Sequence, residues 1–445
     1  MQGKEGLQVV REGVAHRIER LVVDLLGAPL PVELLAWDGS RAGACGVPRV
    51  ELRNKRALRH LLWKPGELGL ARAYVSGDLV VHGDLTDGLR RCRQPARQHR
   101  PGSPPRVGPR EWCRLIALAF RLGVVGPRPR PPATEARLSG KPHSRLRDRS
   151  AISHHYDASN DFYALLLDPR MTYSSGYWTS SDPGYGLAEA QEDKLDLICR
   201  KLGLREGMRL LDVGCGWGSL IIFAAQRYGV HATGVTLAAE QAAHIRSRVE
   251  HLGLRDRVQV RLQDYREITD EPFDAVASIE MGEHVGEVNY PIYAATLHRL
   301  LRPHGKLLLQ QMSRDKSAPG GGAFIESYIA PDMSMVPLGR TLDHIHGAGL
   351  EVRDVESMRE HYVPTVRAWL RTLEAHWDEA VALIGAEGAR VWRLYLAGGA
   401  LAFEENRMGV NQIVSVRPDD AGCTGLALAD RVSVLGLADR AQVGP

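Results

Sequence analysis

Apolar positions change their spacing along the chain, and the change marks out its parts. From Met208 onward, short apolar runs alternate with stretches whose apolar residues recur at helical spacing. The runs predict strands over 208–214, 230–237, 258–264, 272–280 and 305–312, with helices over 239–252 and 290–301 between them. A sixth strand is predicted over 349–358, helices over 361–384 and 391–409, and a final strand over 411–418. Strands alternating with helices predict an α/β fold with a doubly wound, mostly parallel sheet. Upstream the rhythm differs. Val10, Val14, Ile18, Leu21 and Leu25 recur at helical spacing with Arg11, Arg17 and Arg20 between them. Residues 31–85 mix short strand-like runs with a helix, so 1–95 reads as a small α+β accessory domain. Prolines and arginines cluster over 96–149, which is linker composition. Within that linker Trp112, Leu115, Ile116, Ala119 and Phe120 share a helical face flanked by Arg114 and Arg121. Such a helix either lies on a membrane surface or bridges two domains. Residues 152–198 are rich in aromatics and read as a helical lid ahead of the first strand of a domain spanning 150–418. The tail, 419–445, has no place in this pattern and is expected to be partly disordered.

Composition narrows the class. A chain of 445 residues accommodates two or three domains. The net charge of +4 is unevenly spread, with arginines crowding residues 90–149, and this favours an anionic partner, a membrane surface or a nucleic acid. The six cysteines show no paired spacing and read as reduced thiols of a cytoplasmic protein. Arg and Glu recur through the first residues, unlike a signal peptide. No window approaches the ~18 consecutive apolar residues of a spanning helix. Membrane contact is therefore expected to be peripheral, at the inner face of the cell membrane.

The most informative stretch is Leu210 to Ser219, LLDVGCGWGS. An apolar lead, Asp212 and glycines at 214, 216 and 218 precede an amphipathic run, which reads as strand, tight turn, helix. Glycine lets the backbone turn sharply and lets a ligand lie against it, and the helix N-terminus offers free N–H groups. The D-x-G-x-G-x-G form after a strand points to S-adenosylmethionine (SAM). A dinucleotide fingerprint needs GxGxxG, and the third glycine here falls one residue too early. Ligands of doubly wound sheets sit at the carboxyl ends of the strands, which nominates 214–218, 236–241, 264–265, 280–284 and 310–312. His154 and His155 are a weak metal site, because adjacent helical histidines diverge, and no metal is expected. Asp182-Pro183-Gly184-Tyr185 lacks the second proline of the amino-methylating D-P-P-Y motif and reads as a turn.

With these residues in view, the chain resembles the cyclopropane-fatty-acyl-phospholipid synthase family. HHYDASNDFY, MTYSSGYW, LDVGCGWGSL, TLAAEQ, the EHVG before Glu287, REHYVPTVRAW and GALAFEENRMG match in order over about residues 150–417. The resemblance implies a seven-stranded Rossmann-like sheet and SAM-dependent methyl transfer to a cis double bond of a phospholipid acyl chain. GGAFIESYIAPDM and QQMSR look closest to the actinobacterial branch linked to 10-methyl-branched, tuberculostearic-type fatty acids. It further implies SAM contacts at Tyr173 and Ser174, Asp212, Gly214, Gly216 and Gly218, Thr236, Leu237 and Gln241, and Asp264 with Tyr265 near the adenine. Where many methyltransferases place an acid after strand two, this chain has Thr236, so the ribose contact weakens or moves to Gln241.

An isolated alkene is a poor nucleophile and needs a strong electrophile such as a sulfonium methyl. Transfer leaves positive charge on carbon, which the site must stabilise, shield from water and relieve of a proton. Aromatics and a carboxylate at the end of strand four suit the cation. Family members hold bicarbonate as the base, and the resemblance implies Glu283, Tyr362 and the backbone at Ser175 among its ligands, with His284 alongside. Two departures stand out. Ser175 replaces a common cysteine, and Gln310 replaces a bicarbonate-binding histidine; glutamine hydrogen-bonds an anion but carries no charge. A differently held base points to an exocyclic methylene product rather than a cyclopropane ring. That product requires a flavin- or NADPH-dependent reductase as partner. A homo-oligomer is expected. A nucleic-acid methyltransferase, a small-molecule N-methyltransferase and a non-catalytic lipid-binding module are the competing readings, and no base-reading motif follows strand four.

Overall fold

The computed structural model describes residues 12–46, 48–99, 108–136, 147, 159–315 and 320–426. Val10, Arg11, His154, His155, Tyr156, Pro319 and the tail beyond 426 lie outside the described residues. Two compact units emerge: Met1–Glu135 with Arg390–Gly398, and Ala136–Ala389 with Gly399–Pro445.

The smaller unit carries a sheet of β1 (Glu33–Leu35), β2 (Arg41–Gly43), β3 (Arg49–Leu52) and β4 (Leu79–His82), ordered β2-β1-β3-β4. Helix Val14–Leu26 packs there: Val14 and Ile18 meet Ala119, Leu122 and Val124 beside Trp37 and Leu58. The helix expected in the linker forms over Pro109–Arg121 and belongs to this unit. Its apolar stripe splits. Ala119 is buried, whereas Ile116 is 50% and Phe120 66% exposed.

The larger unit has the expected sheet. Its strands are β5 (Arg209–Val213), β6 (His231–Thr236), β7 (Val258–Leu262), β8 (Phe273–Ile279), β9 (Leu301–Ser313), β10 (Glu351–Ser357) and β11 (Gly409–Val416), ordered β10-β11-β9-β8-β5-β6-β7. All pairs from β7 to β9 are parallel, and β11 runs antiparallel to both β9 and β10. Leu210, Ala232, Ala275 and Leu308 pack on one face with the helices Leu187–Leu202 and Ser219–Tyr228. Leu211, Val235, Val276 and Leu309 pack on the other with Tyr290–Leu300. The alternation along each strand sends successive side chains to opposite layers, and both layers are apolar because both faces are covered.

Two differences from the periodicity reading concern helix ends. The C-terminal helices run Arg359–Ala375 and Trp377–Glu404, so the break falls at His376. The second kinks at Gly385, whose φ of 74° takes it out of the helix. The expected lid comprises Asn160–Leu166, capped by the Ser159 hydroxyl at Phe162 N (3.3 Å), a loop ending at Gly186, and the start of helix Leu187–Leu202. Asp182 to Tyr185 forms the expected turn, closed by Tyr185 N on Asp182 O at 2.9 Å.

Candidate active site

The glycine-rich turn leaves β5 with its amides tied down. Gly214 and Cys215 N–H both donate to Val235 O of β6 at 3.0 Å. Gly214 has φ 83° and Gly216 φ 52°. A Cβ at Gly214 would fall 2.7 Å from Met281 Cγ, while one at Gly216 would project into open space. The turn is thus packed on one side and bare on the other, where a ligand can approach the backbone. Gly218 stands behind it, closing on Ile245 at the start of helix Ser219–Tyr228.

Tyr173, Ser174, Asp212, Gly214, Gly216, Thr236, Leu237, Gln241, Asp264, Tyr265, Glu280 and His284 line one cavity at the carboxyl ends of the parallel strands. Asp212 is 2% exposed and its Oδ1 has no partner. Burial pushes its pKa up to about 7 against the pull of Lys194. Lys194, buried on Leu187–Leu202, donates from Nζ to Ser174 Oγ at 2.8 Å. Burial lowers its pKa to about 8, opposed by the charges of Glu280, Asp168 and Asp212. At the other lip Thr236 Oγ1 donates to Gln241 Oε1 at 2.8 Å, which leaves the buried Gln241 Nε2 unpartnered. Asp264 is held by Arg266, through N at 2.9 Å and Nη2 at 2.6 Å, and Arg266 lies over the Tyr265 ring. Tyr173 packs between Tyr163 and Trp369.

The anion-binding group differs from expectation in its centre. Ser175 N (3.0 Å) and Gln310 Nε2 (2.7 Å) donate to Glu280 Oε1, and Tyr362 Oη donates to Glu280 Oε2 at 2.6 Å. Glu283 receives none of these. It is 0% exposed, accepts from Met312 N, and does not line the cavity. The donors expected to hold bicarbonate with Glu283 are therefore taken by a side chain of the protein, and bicarbonate does not fit among them. Burial raises the Glu280 pKa, while Tyr362, Ser175, Gln310 and Lys194 pull it down. Burial and then the charge of Glu280 push Glu283 up to about 8.

Gln310 is oriented from behind. Lys201 Nζ donates to Gln412 Oε1 at 2.8 Å, and Gln412 Nε2 donates to Gln310 Oε1 at 3.0 Å. A lysine ammonium only donates. It fixes the Gln412 amide, which fixes the Gln310 amide, whose NH2 then faces Glu280. Gln412 is the cross-strand neighbour of Gln310 between β11 and β9. No motif singles out Lys194, Lys201, Arg266 or Gln412. A trace of the lysines was present: Gln191, Lys194, Ile198 and Lys201 share one helical face, and all are buried.

The two unpartnered polar atoms, Asp212 Oδ1 and Gln241 Nε2, and the bare backbone at Gly216 suit an extended ligand with amino and hydroxyl groups. This strand order, with such a turn after β5 and the cavity at the strand ends, defines a Rossmann-like SAM-dependent methyltransferase. Within that class, the mycolic acid cyclopropane synthetase family model matches residues 143–413, and the chain belongs to this family. A probable fatty acid methyltransferase of Mycobacterium tuberculosis is 41% identical over 413 residues, 89% of this chain and 94% of that protein. The tuberculostearic acid methyltransferase of the same organism is 33% identical, over 87% of this chain and 88% of its own. The structure of mycolic acid cyclopropane synthase CmaA1 with SAH and CTAB aligns with a TM-score of 0.57 and 33% identity, covering 60% of this chain and 97% of that one. The chain is a SAM-dependent methyltransferase of fatty acids or lipids, of the cyclopropane synthase type.

Proposed function

We propose that the enzyme methylates the cis double bond of an unsaturated phospholipid acyl chain, such as oleoyl, and yields a methylene-bearing chain, precursor of a 10-methyl group. SAM, when bound, supplies the electrophilic methyl group. Ser174 and Lys194 would face its carboxylate, Asp212 its amino group, and the Gly214–Gly216 backbone would lie against it with Leu237. Thr236 and Gln241 would take the ribose, and Asp264 with Tyr265 would flank the adenine. Tyr173, Tyr163, Trp217 and Trp369 pack against one another and exclude water from the developing cation. The observation carrying this reading is the cavity in which the SAM turn meets the Glu280 carboxylate and the rings of Tyr173 and Trp217. A ring product is the alternative, favoured by the likeness to CmaA1.

No described helix is long and apolar enough to cross a membrane. The smaller unit supports a peripheral approach to lipid. Trp63 is 54%, Phe120 66% and Val125 48% exposed, and Trp63 Nε1 donates to Gly126 O at 3.1 Å beside Val125. Lys64, Arg114 and Arg121 are exposed in the same two segments. Apolar anchors among cations suit an anionic interface. Purified enzyme incubated with SAM and oleoyl phospholipid vesicles tests the function. The expected lipid gains CH2 and keeps its unsaturation, with vinylidene protons by NMR. Upfield ring protons would reject the methylene, and no lipid methylation would reject the whole reading. The methylene product would pass to a flavin- or NADPH-dependent reductase.

A further inference from the structure

Ser175 N, Gln310 Nε2 and Tyr362 Oη all donate to Glu280, and Glu280 lines the cavity. Its backbone has φ 51°, a left-handed conformation that costs a non-glycine residue energy and persists where surroundings enforce it. We propose that Glu280 is the base that takes the proton from the cationic lipid, so that the reaction needs no bound oxyanion; this rests on the methylation reading above.

Three observations carry the assignment. Of the two carboxylates at the end of β8, Glu283 is 0% exposed and lies off the cavity, whereas Glu280 is partly exposed and lines it. The chain from Lys201 through Gln412 and Gln310 presents an NH2 group to Glu280 Oε1, which suits a carboxylate acceptor. Ser175 N–H and Tyr362 Oη complete three donors on two oxygens. This fixes the carboxylate's position and opposes the rise in pKa that burial causes.

The step balances within the protein and its substrates. The alkene π pair bonds to the transferred methyl carbon as that carbon's bond to sulfur breaks and its electrons leave with the sulfur. The neighbouring alkene carbon becomes cationic. A hydride shift from the methylated carbon moves the charge there. A C–H bond of the new methyl group then gives its proton to Glu280, and its electron pair becomes the C=C bond of the methylene. Proton loss before the shift would instead use that pair to close a ring. Water takes the proton from Glu280 after product release.

The test uses the full-length enzyme, SAM and oleoyl phospholipid vesicles. Wild-type methylation of lipid is established first, and its absence counts against the function rather than the base. In CO2-free buffer, wild-type turnover is expected to stay the same with or without added bicarbonate. Glu280→Gln should still bind SAM by calorimetry and lose turnover by about 10²–10⁴-fold, the usual worth of a positioned base. Glu280→Gly, unstrained at this backbone position and leaving the donors free, should be inactive until bicarbonate or formate is added. Dependence of the wild type on bicarbonate would overturn the proposal. So would near-normal turnover of Glu280→Gln, or of Glu280→Gly without added anion.

Discussion

The phenol of Tyr362 donates to Oε2 of Glu280 at 2.6 Å, the oxygen that neither Ser175 nor Gln310 reaches. Phe403 stacks on the Tyr362 ring at 4.3 Å and Trp369 meets it edge-on, so Tyr362→Phe keeps the packing and removes only the hydroxyl. A hydrogen bond to a charged group is worth about 1.5–3 kcal/mol. Loss of that stabilisation raises the Glu280 pKa. Because the ionised form is the base, the acid limb of kcat/KM moves to higher pH. Turnover on the acid limb should fall about 10–100-fold, with SAM affinity by calorimetry unchanged.

Lys201 acts two residues removed from the carboxylate. Its Nζ pairs with Glu356 and donates to Gln412, and its side chain is 1% exposed. Lys201→Met should lower stability, by urea denaturation, by less than the ~3–5 kcal/mol of a fully buried pair, because the Glu356 side chain is 30% exposed and regains water. It should also free the Gln412 and Gln310 amides to turn. Turnover then falls while SAM affinity holds. A stability loss with normal turnover would make the chain from Lys201 structural only.

The parallel core was readable because both its signals are local: apolar runs of strand length, and glycines whose spacing sets the turn after β5. A doubly wound parallel sheet and a site at its strand ends follow from those. The centre of the anion group was not readable. Glu280 and Glu283 lie three residues apart at one strand end, and nothing in a one-dimensional pattern shows which way each points. The difference lies in their partners: Ser175, Gln310 and Tyr362 for Glu280, Met312 N for Glu283. Lys194 and Lys201 are hard to read from the sequence for a related reason. Lysine is almost always exposed, and the partners that allow burial here, Ser174, Glu356 and Gln412, come from distant segments. Gln310 drew notice as an uncharged substitute. Its meaning depends on Gln412, a hundred residues on, and so on the β9–β11 register.

Glu283 makes ligand-free stability depend on pH. Its pKa rises from 4.5 to about 8 in the folded protein, through burial and the charge of Glu280. The fold therefore favours the protonated acid. Stability from this group is full below pH 4.5 and declines as pH rises toward 8. Glu283→Gln mimics the protonated form. Melts across that range should show a shallower decline, with the variant more stable at the alkaline end by on the order of a few kcal/mol. Asp212, raised to about 7, leaves a residual slope of the same sign. Equal slopes in both proteins would mean that Glu283 is ionised in the fold.

Lys194 offers the clearest separation of ligand binding from chemistry. It is 1% exposed, its Nζ is 2.8 Å from Ser174 Oγ, and burial sets its pKa at about 8. If it faces the SAM carboxylate, Lys194→Met should weaken SAM binding by about 10–100-fold, the loss of one charge-assisted hydrogen bond. Titration supplies the stronger test. Wild-type affinity by calorimetry should fall as pH rises through 8, where the ammonium gives up its proton. The amino group of SAM titrates nearby and weakens both proteins alike, so the informative quantity is the ratio of the two affinities. That ratio should shrink toward one above pH 8, when the wild type has also lost its charge. A ratio independent of pH would mean that Lys194 acts on Ser174 and Asp212 rather than on the ligand's carboxylate.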